Sequence, residues 1–296
     1  MTTHGAHHGE RAAIPALPDD DVAAELEELA AAVALSAGRL IVDERPDAVE
    51  VASTKSTATD VVTVMDQRSQ DHLVARLREA RPDDAVLGEE RGGATGTSGI
   101  TWVIDPIDGT VNYLYGIPAY AVSVAAVVGD PTREGAWRPF AGAVHNPVTG
   151  ELFRARTGGG ARLVLADDSD RMLAPTACTD PALALVGTGF GYAAQRRERQ
   201  ARLVLDLLPQ VRDIRRIGSA ALDLCAVAAG SLDAYYETGL NPWDLAAGWL
   251  VATEAGAAVG GFDGPGSALT WACAPGLVGT LPELVAEGTR RHLRDA

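Results

Sequence analysis

The stretch Thr101-Trp102-Val103-Ile104-Asp105-Pro106-Ile107-Asp108-Gly109-Thr110 decides how the rest of this 296-residue chain is read. Thr101 to Ile104 is an apolar run short enough for a buried strand, and it closes on an acid. Pro106 fixes φ and offers no N–H to a ladder, so the chain is expected to turn directly after Asp105. Asp105 and Asp108 then point at a common centre, with the Ile107 carbonyl free between them. Gly109 permits close backbone approach, and Thr110 opens a short helix over Val111 to Tyr115. The amides of Gly109 and Thr110 at that helix start form an expected anion cradle. Carboxylates beside a bound anion repel one another: at an effective dielectric near 20, each pair ~4 Å apart costs about 4 kcal/mol. A cation between them removes that cost. Oxygen ligands without Cys or His point to a hard ion, Mg²⁺ before Zn²⁺.

Other acids stand at comparable places. Glu89-Glu90 closes the strand Ala85-Val86-Leu87-Gly88, and Asp66 lies near the start of a helix predicted over Thr63 to Ala80. Asp244 begins a helix over Trp243 to Ala255, with Asn241 as its cap and Pro242 in its first turn. Strand ends and helix starts face the crevice of a sheet-based fold. Glu89, Asp105, Asp108 and Asp244 together balance two divalent ions, and a phosphate dianion then calls for one more positive group. Lys55 is the single lysine beside 24 arginines. It sits on a polar loop expected over Ser53 to Thr59 and is a candidate for that role, as is a further ion.

Composition narrows the class. Apolar residues make up 47 %, which argues against wholesale disorder. Twenty-five basic residues against 40 acidic ones leave a net charge of −15, which argues against a nucleic-acid partner. No stretch of 18 apolar residues marks a membrane span. Residues 1–18 lack the apolar core of a secretory signal; with His4, His7 and His8 among Gly, Thr and Pro, they read as a disordered tail. Cys178, Cys225 and Cys273 have no metal or redox spacing and read as reduced thiols of a cytoplasmic protein.

Periodicity predicts further helices over Asp19 to Asp43, Ala193 to Leu208, Ala220 to Ala229 and Pro282 to Leu293. Strands are expected at Val49 to Val51, Ile100 to Ile104, Ala119 to Val128, Phe140 to His145, Leu183 to Gly187, Ile214 to Ile217 and Leu232 to Tyr236. Val259 and Leu277-Val278 complete the set. Residues 19 to about 160 read as an α+β half and 161–296 as an α/β half of one domain. Several signatures fail. Thr54 stands where a phosphate-binding loop needs glycine before Lys55-Ser56, and Gly187-Thr188-Gly189-Phe190-Gly191 brings its third glycine one position early for a dinucleotide loop. There is no His-Glu-x-x-His and no Gly-x-Ser-x-Gly, and His72, His145 and His292 read as structural.

The sequence resembles the inositol monophosphatase family of lithium-sensitive, metal-dependent sugar phosphatases. The matching runs are Gly88-Glu89-Glu90, Trp102 through Tyr113, Ile217-Gly218-Ser219-Ala220-Ala221, Asp233-Ala234-Tyr235-Tyr236-Glu237 and Pro242 through Gly248. They occur in family order across roughly Asp21 to Leu293. The resemblance implies a layered αβαβα sandwich of the inositol monophosphatase and fructose bisphosphatase type. It implies a Mg²⁺-dependent phosphomonoesterase acting on inositol monophosphate or a related small polyol or sugar phosphate.

By position, Glu89, Asp105 and the Ile107 carbonyl would hold a first metal, and Asp105, Asp108 and Asp244 a second. Glu89 would reach a weaker third through water. Asp66 and Thr110, with Glu89 in the same catalytic set, would orient and activate the attacking water for in-line displacement at phosphorus. Gly109 and Thr110 would take the phosphate, while Asp108, Gly218, Ser219, Ala220 and Glu237 would face the alcohol. The resemblance also implies a homodimer. Histidinol-phosphate phosphatase and fructose bisphosphatase are the neighbouring activities on this fold. A non-catalytic regulator would be marked by loss of a metal ligand, and none is lost.

Overall fold

The computed structural model describes residues 14–46, 49, 51–55, 61–91, 93–262 and 264–293. The three tail histidines, Glu50 of the expected first strand and residues 56–59 of the Lys55 loop lie outside the described residues. Ile14 and Leu17, assigned to the tail from sequence, pack against the core under the first helix.

That helix, α1 (Asp20–Asp43), starts where the Asp19 carboxylate accepts the Val22 N–H at 3.0 Å. The hairpin β1 (Val51–Thr54) and β2 (Val61–Thr63) follows, so Ser53 and Thr54 belong to a strand instead of the expected loop. Next come α2 (Val64–Ala80), β3 (Ala85–Gly88), β4 (Ile100–Asp108), α3 (Thr110–Tyr115), β5 (Ala121–Gly129) and β6 (Trp137–Asn146). Three strands missing from the sequence reading complete the first half: β7 (Glu151–Arg156), β8 (Gly160–Val164) and β9 (Asp170–Met172). The second half runs β10 (Leu185–Thr188), α4 (Ala194–Leu207), β11 (Asp213–Arg215), α5 (Ala220–Ala228), β12 (Ala234–Glu237) and α6 (Pro242–Glu254). It closes with β13 (Ala258–Gly260), β14 (Thr270–Cys273) and α7 (Leu281–His292). Leu277 ends a single 3₁₀ turn and Val278 follows it, because Pro275 and Gly276 cannot carry a strand there.

The first seven-stranded sheet has the order β3-β4-β5-β6-β7-β8-β9, parallel only between β3 and β4. The second has the order β11-β10-β12-β14-β13. Side chains on the large sheet divide by parity, as the pleat requires. Trp102, Ile104, Val122, Val124 and Ala126 pack under α1 and α2, whereas Val103, Ala125 and Val127 face the core built on α5 and α6. The inner face of the five-stranded sheet, with Tyr235 and Ala272, closes the same central core. Its outer face, with Val186 and Tyr236, packs against α4 and α7. The layers are therefore αβαβα, and the central core draws on both halves of the chain. Strands buried on both faces read as continuous apolar runs, which is why β5 was legible.

In α2, Leu73 and Leu77 are buried, whereas Val64 in its first turn is 62 % exposed. The carboxylate of Glu254, at the end of α6, accepts the N–H groups of Gly158 and Gly160 at 3.0 and 3.1 Å, tying that helix to the β7–β8 turn. No helix among the described residues is long and apolar enough to cross a membrane.

Candidate active site

The strand β4 does not stop at Asp105. It runs on to Asp108, and between the pairs Asp105↔Ser123 and Asp108↔Ala121 it gains one residue over β5. This is a bulge, placed where Pro106 has no N–H for the ladder. Its effect is on parity. In a regular strand, residues three apart face opposite sides; the extra residue brings Asp105 and Asp108 to the same side, toward the first turn of α6. Ser69 Oγ donates to the Pro106 carbonyl at 3.1 Å and the Asp105 carboxylate accepts the Ile107 N–H at 3.0 Å, which fixes the bulge.

Asp244 is presented by α6, whose start is pinned twice. The Asn241 N–H donates to the Asp244 carboxylate at 2.6 Å, as in a capping box, and Pro242 supplies a preset φ at the first position. Ser123, the register partner of Asp105, donates to the Trp243 carbonyl at 3.4 Å and holds this turn against β5. One carboxylate oxygen each from Asp105, Asp108 and Asp244 thus falls within 4.8 Å of the others.

Asp108 has a second task. One of its oxygens accepts from Ser219 Oγ at 2.6 Å and from the Ala221 N–H at 2.7 Å, so it also caps α5. The Ser219 hydroxyl, expected to face substrate, is engaged there. Asn112 donates to the carbonyls of Ala119 and Ile217 at 2.7 and 3.0 Å, fixing the irregular segment that leads from β11, which ends at Arg215 and not at Ile217, into Gly218. Gly109, at φ 98°, holds a left-handed backbone that any side chain would strain, and a Cβ there would sit a tight 3.0 Å from the Ala119 carbonyl oxygen and 3.1 Å from that of Gly218.

Asp66 and Thr110, far apart in sequence, meet directly. Thr110 Oγ1 lies 3.0 Å from an Asp66 oxygen and 3.1 Å from the Ile107 carbonyl oxygen. The other Asp66 oxygen accepts from the Thr63 amide and hydroxyl at 2.8 and 2.5 Å. The Ile107 carbonyl is therefore not free, as expected from sequence, but engaged by one hydroxyl with a second lone pair left. Glu89 stands on the loop after β3, outside the tight trio. Lys55 bridges it to Glu90, with Nζ 2.7 Å from Glu89 and 2.5 Å from Glu90. Gln70, wholly buried on α2, accepts the Glu90 N–H and donates to the Arg91 carbonyl, both at 2.8 Å, and so holds this loop in place.

The electrostatics follow from burial. Asp105 and Asp244 are driven well above the usual carboxylate range, first by desolvation and then by Glu89 and Asp108. Burial likewise raises Glu89 to about 7 against the pull of Lys55. Asp108 reaches about 6, held down by Ser219 and the α5 amides. Asp66 is raised by burial, opposed by its bonds to Thr63 and Thr110. Burial works against the charge of Lys55, but Glu89 and Glu90 outweigh it and raise its pKa. A buried cluster of carboxylates that obstruct one another's ionisation attracts positive charge. With only oxygen donors, it fits a hard divalent cation.

Lys55, Glu89, Asp105, Asp108, Thr110 and Asp244 line one cavity of about 410 Å³ together with Glu237, Gly218, Ala220, Arg196 and Arg216; Asp66 and Glu90 are not part of its lining. Glu237 accepts from the Tyr235 hydroxyl at 2.6 Å and is raised by burial to about 7. Sequence reasoning missed Arg196, Arg216, Gln70 and Thr63. The arginines carry no signal in a chain with 24 of them, and Gln70 and Thr63 act on the site only through backbone and carboxylate contacts.

Fold and site define a layered α/β protein that gathers at strand and helix ends a cluster of carboxylates able to hold a metal ion. The chain belongs to the inositol monophosphatase family, whose sequence model matches residues 23–294. A Mycobacterium tuberculosis protein named Inositol-1-monophosphatase SuhB is 53 % identical over 211 residues, covering 69 % of this chain and 70 % of that protein. A Pasteurella multocida relative named Nus factor SuhB is 37 % identical over 263 residues, 88 % of this chain and 92 % of its own. The solved structure of Mycobacterium tuberculosis SuhB superimposes with a TM-score of 0.75 at 42 % identity, covering 90 % of this chain and 97 % of that one.

Proposed function

We propose that this protein is a cytoplasmic, Mg²⁺-dependent phosphomonoesterase that hydrolyses inositol monophosphate or a related small polyol or sugar phosphate. The observation that carries the reading is the meeting of Asp105, Asp108 and Asp244 within 4.8 Å, beside the hydrogen-bonded pair Asp66 and Thr110. Relatives named inositol-1-monophosphatase, such as the Mycobacterium leprae protein at 51 % identity, support it.

In this reading Asp105, Asp108 and Asp244, with Glu89 and the Ile107 carbonyl, hold two or three Mg²⁺ ions. Bound there, Mg²⁺ supplies Lewis-acid activation of water and charge stabilisation for the departing alkoxide. Thr110, its hydroxyl polarised by the Asp66 carboxylate, orients the attacking water, and Asp66 is the proton's destination through that hydroxyl. Glu89 completes the set around the water. The backbone of Gly109 and Thr110 receives the phosphoryl oxygens, at a position where a side chain on residue 109 would be strained and crowded. Glu237, held by Tyr235, accepts from a substrate hydroxyl, with Asp108 and the turn from Gly218 to Ala220 alongside. Lys55 supplies the remaining positive group next to Glu89. No protein nucleophile is needed, since hydrolysis proceeds by direct displacement. A homodimer belongs to the same reading.

The test is phosphate release from an inositol monophosphate with Mg²⁺, with chelator, and with Li⁺. Turnover that requires Mg²⁺ and falls with Li⁺ is the expected result. Undiminished turnover in excess chelator overturns the assignment.

A further inference from the structure

Arg196 and Arg216 line the same cavity as the carboxylates and have no part in the reaction described above. Arg196 comes from the first turn of α4 and Arg216 from the segment between β11 and α5. Both lie near the Glu237 carboxylate and help hold its pKa down against burial. Some other arginines of this acidic protein pair with carboxylates, as Arg81 does with Asp84, Arg154 with Glu27 and Arg291 with Asp206. Among the described residues neither Arg196 nor Arg216 has such a pair, and the Nε of Arg196 is buried with no hydrogen-bond partner.

The backbone around both is shaped to receive them. A Cβ on Gly239, at φ 84°, would overlap the Arg196 guanidinium, and one on Gly191 would meet its stem. A Cβ on Gly218, at φ 99°, would overlap the Arg216 guanidinium. These three glycines leave slots in which two planar, permanently charged forks lie beside Glu237. A guanidinium fork matches phosphate or carboxylate oxygens, and a buried N–H without a partner is costly until one arrives.

We propose that Arg196 and Arg216 form a subsite for a second anionic group on the substrate. The preferred substrate is then a small polyol or sugar phosphate carrying a further phosphate or carboxylate away from the ester that is cleaved. Glu237 takes a hydroxyl between the two ends. A cavity of about 410 Å³ holds a molecule of that size. This inference rests on the phosphomonoesterase reading and narrows it.

The experiment measures phosphate release with Mg²⁺ on two matched pairs. An inositol monophosphate against an inositol bisphosphate tests phosphate as the second group. Glycerol phosphate against phosphoglycerate tests carboxylate. In the wild-type protein kcat/KM is expected to favour the acidic member of at least one pair by about tenfold, mainly through KM. Arg196→Gln and Arg216→Gln each lower that ratio by about tenfold, and Arg196→Lys, which keeps the charge but loses the fork, lowers it less. Arg216 is exposed, so its variant carries the test should Arg196→Gln fail to fold. Wild-type ratios near one, or variants that slow both members of a pair alike, overturn the subsite and leave the phosphatase reading intact. No release from any of the four compounds overturns both.

Discussion

Stripping divalent cations from this protein makes its stability fall as pH rises, and the size of the fall follows from the buried carboxylates. Glu89 titrates near 7 in the folded chain against an ordinary 4.5, because burial opposes its charge. A folded pKa above the unfolded one means that the folded state holds a proton the unfolded state has released. The native state is thus favoured at low pH, and that advantage disappears as pH climbs from about 4.5 through 7. At 1.36 kcal/mol per pH unit, ionising Glu89 alone costs about 3 kcal/mol by pH 8. Asp108 acts in the same sense, with a folded pKa of about 6, as do Asp105 and Asp244. For a chain of this size about 3 kcal/mol corresponds to a melting-temperature difference of roughly 6–10 °C. His72 and His145, lowered by burial, pull the other way, losing stability as pH falls. Their contribution is the same with or without Mg²⁺ and cancels in the difference. The assay is thermal melting at pH 5.5 and pH 8, in chelator and in Mg²⁺. Because about 1.4 kcal/mol of the Glu89 loss has already occurred by pH 5.5, the gap between the two curves is expected to widen at pH 8 by about 2 kcal/mol from Glu89, roughly 4–8 °C. Curves equally spaced at both pH values would show that these carboxylates do not hold protons in the metal-free fold.

Asp105→Asn will reduce turnover by at least about a thousandfold while leaving the metal-free fold as stable as wild type or more so, because one of several repelling carboxylates is gone; kinetics paired with melting in chelator check both halves. Thr110→Val removes the hydroxyl between Asp66 and the Ile107 carbonyl and is expected to cut kcat by about a hundredfold with little change in KM. Ser219→Ala loses the bond to Asp108 and the cap of α5, and a denaturant melt will show a loss of about 1–2 kcal/mol at unchanged slope.

The parts of the fold that sequence made legible are those where local chemistry and burial agree. Asp19, Thr63 and Asn241 stand just before α1, α2 and α6 and cap or flank them as such residues do, and β4 and β5 announce themselves as apolar runs because helices cover both faces. The strands β7 to β9 were missed because they are short and carry arginines. Arg154 and Arg156 in β7 turn toward Glu27 and Glu28 of α1, and β9 is exposed along its length. In the site, the carboxylates were legible by type and place, but the device that aligns two of them was not. Pro106 read as the end of a strand, whereas it sits in a bulge, and only the pairing register with β5 reveals the change of parity. The Asp66–Thr110 contact was expected from family resemblance alone, since nothing local connects residues 44 positions apart. Lys55 was singled out by its rarity, yet its bridge to both Glu89 and Glu90 depends on the β1–β2 hairpin.

Everything in the proposed chemistry requires that hard cations gather where Asp105, Asp108 and Asp244 converge. Anomalous diffraction from crystals soaked in Mn²⁺ locates them directly. Strong peaks touching carboxylate oxygens of all three residues are expected, with their loss in Asp105→Asn crystals. A wild-type map with no peak among these carboxylates, under conditions that support turnover, would contradict the proposed chemistry.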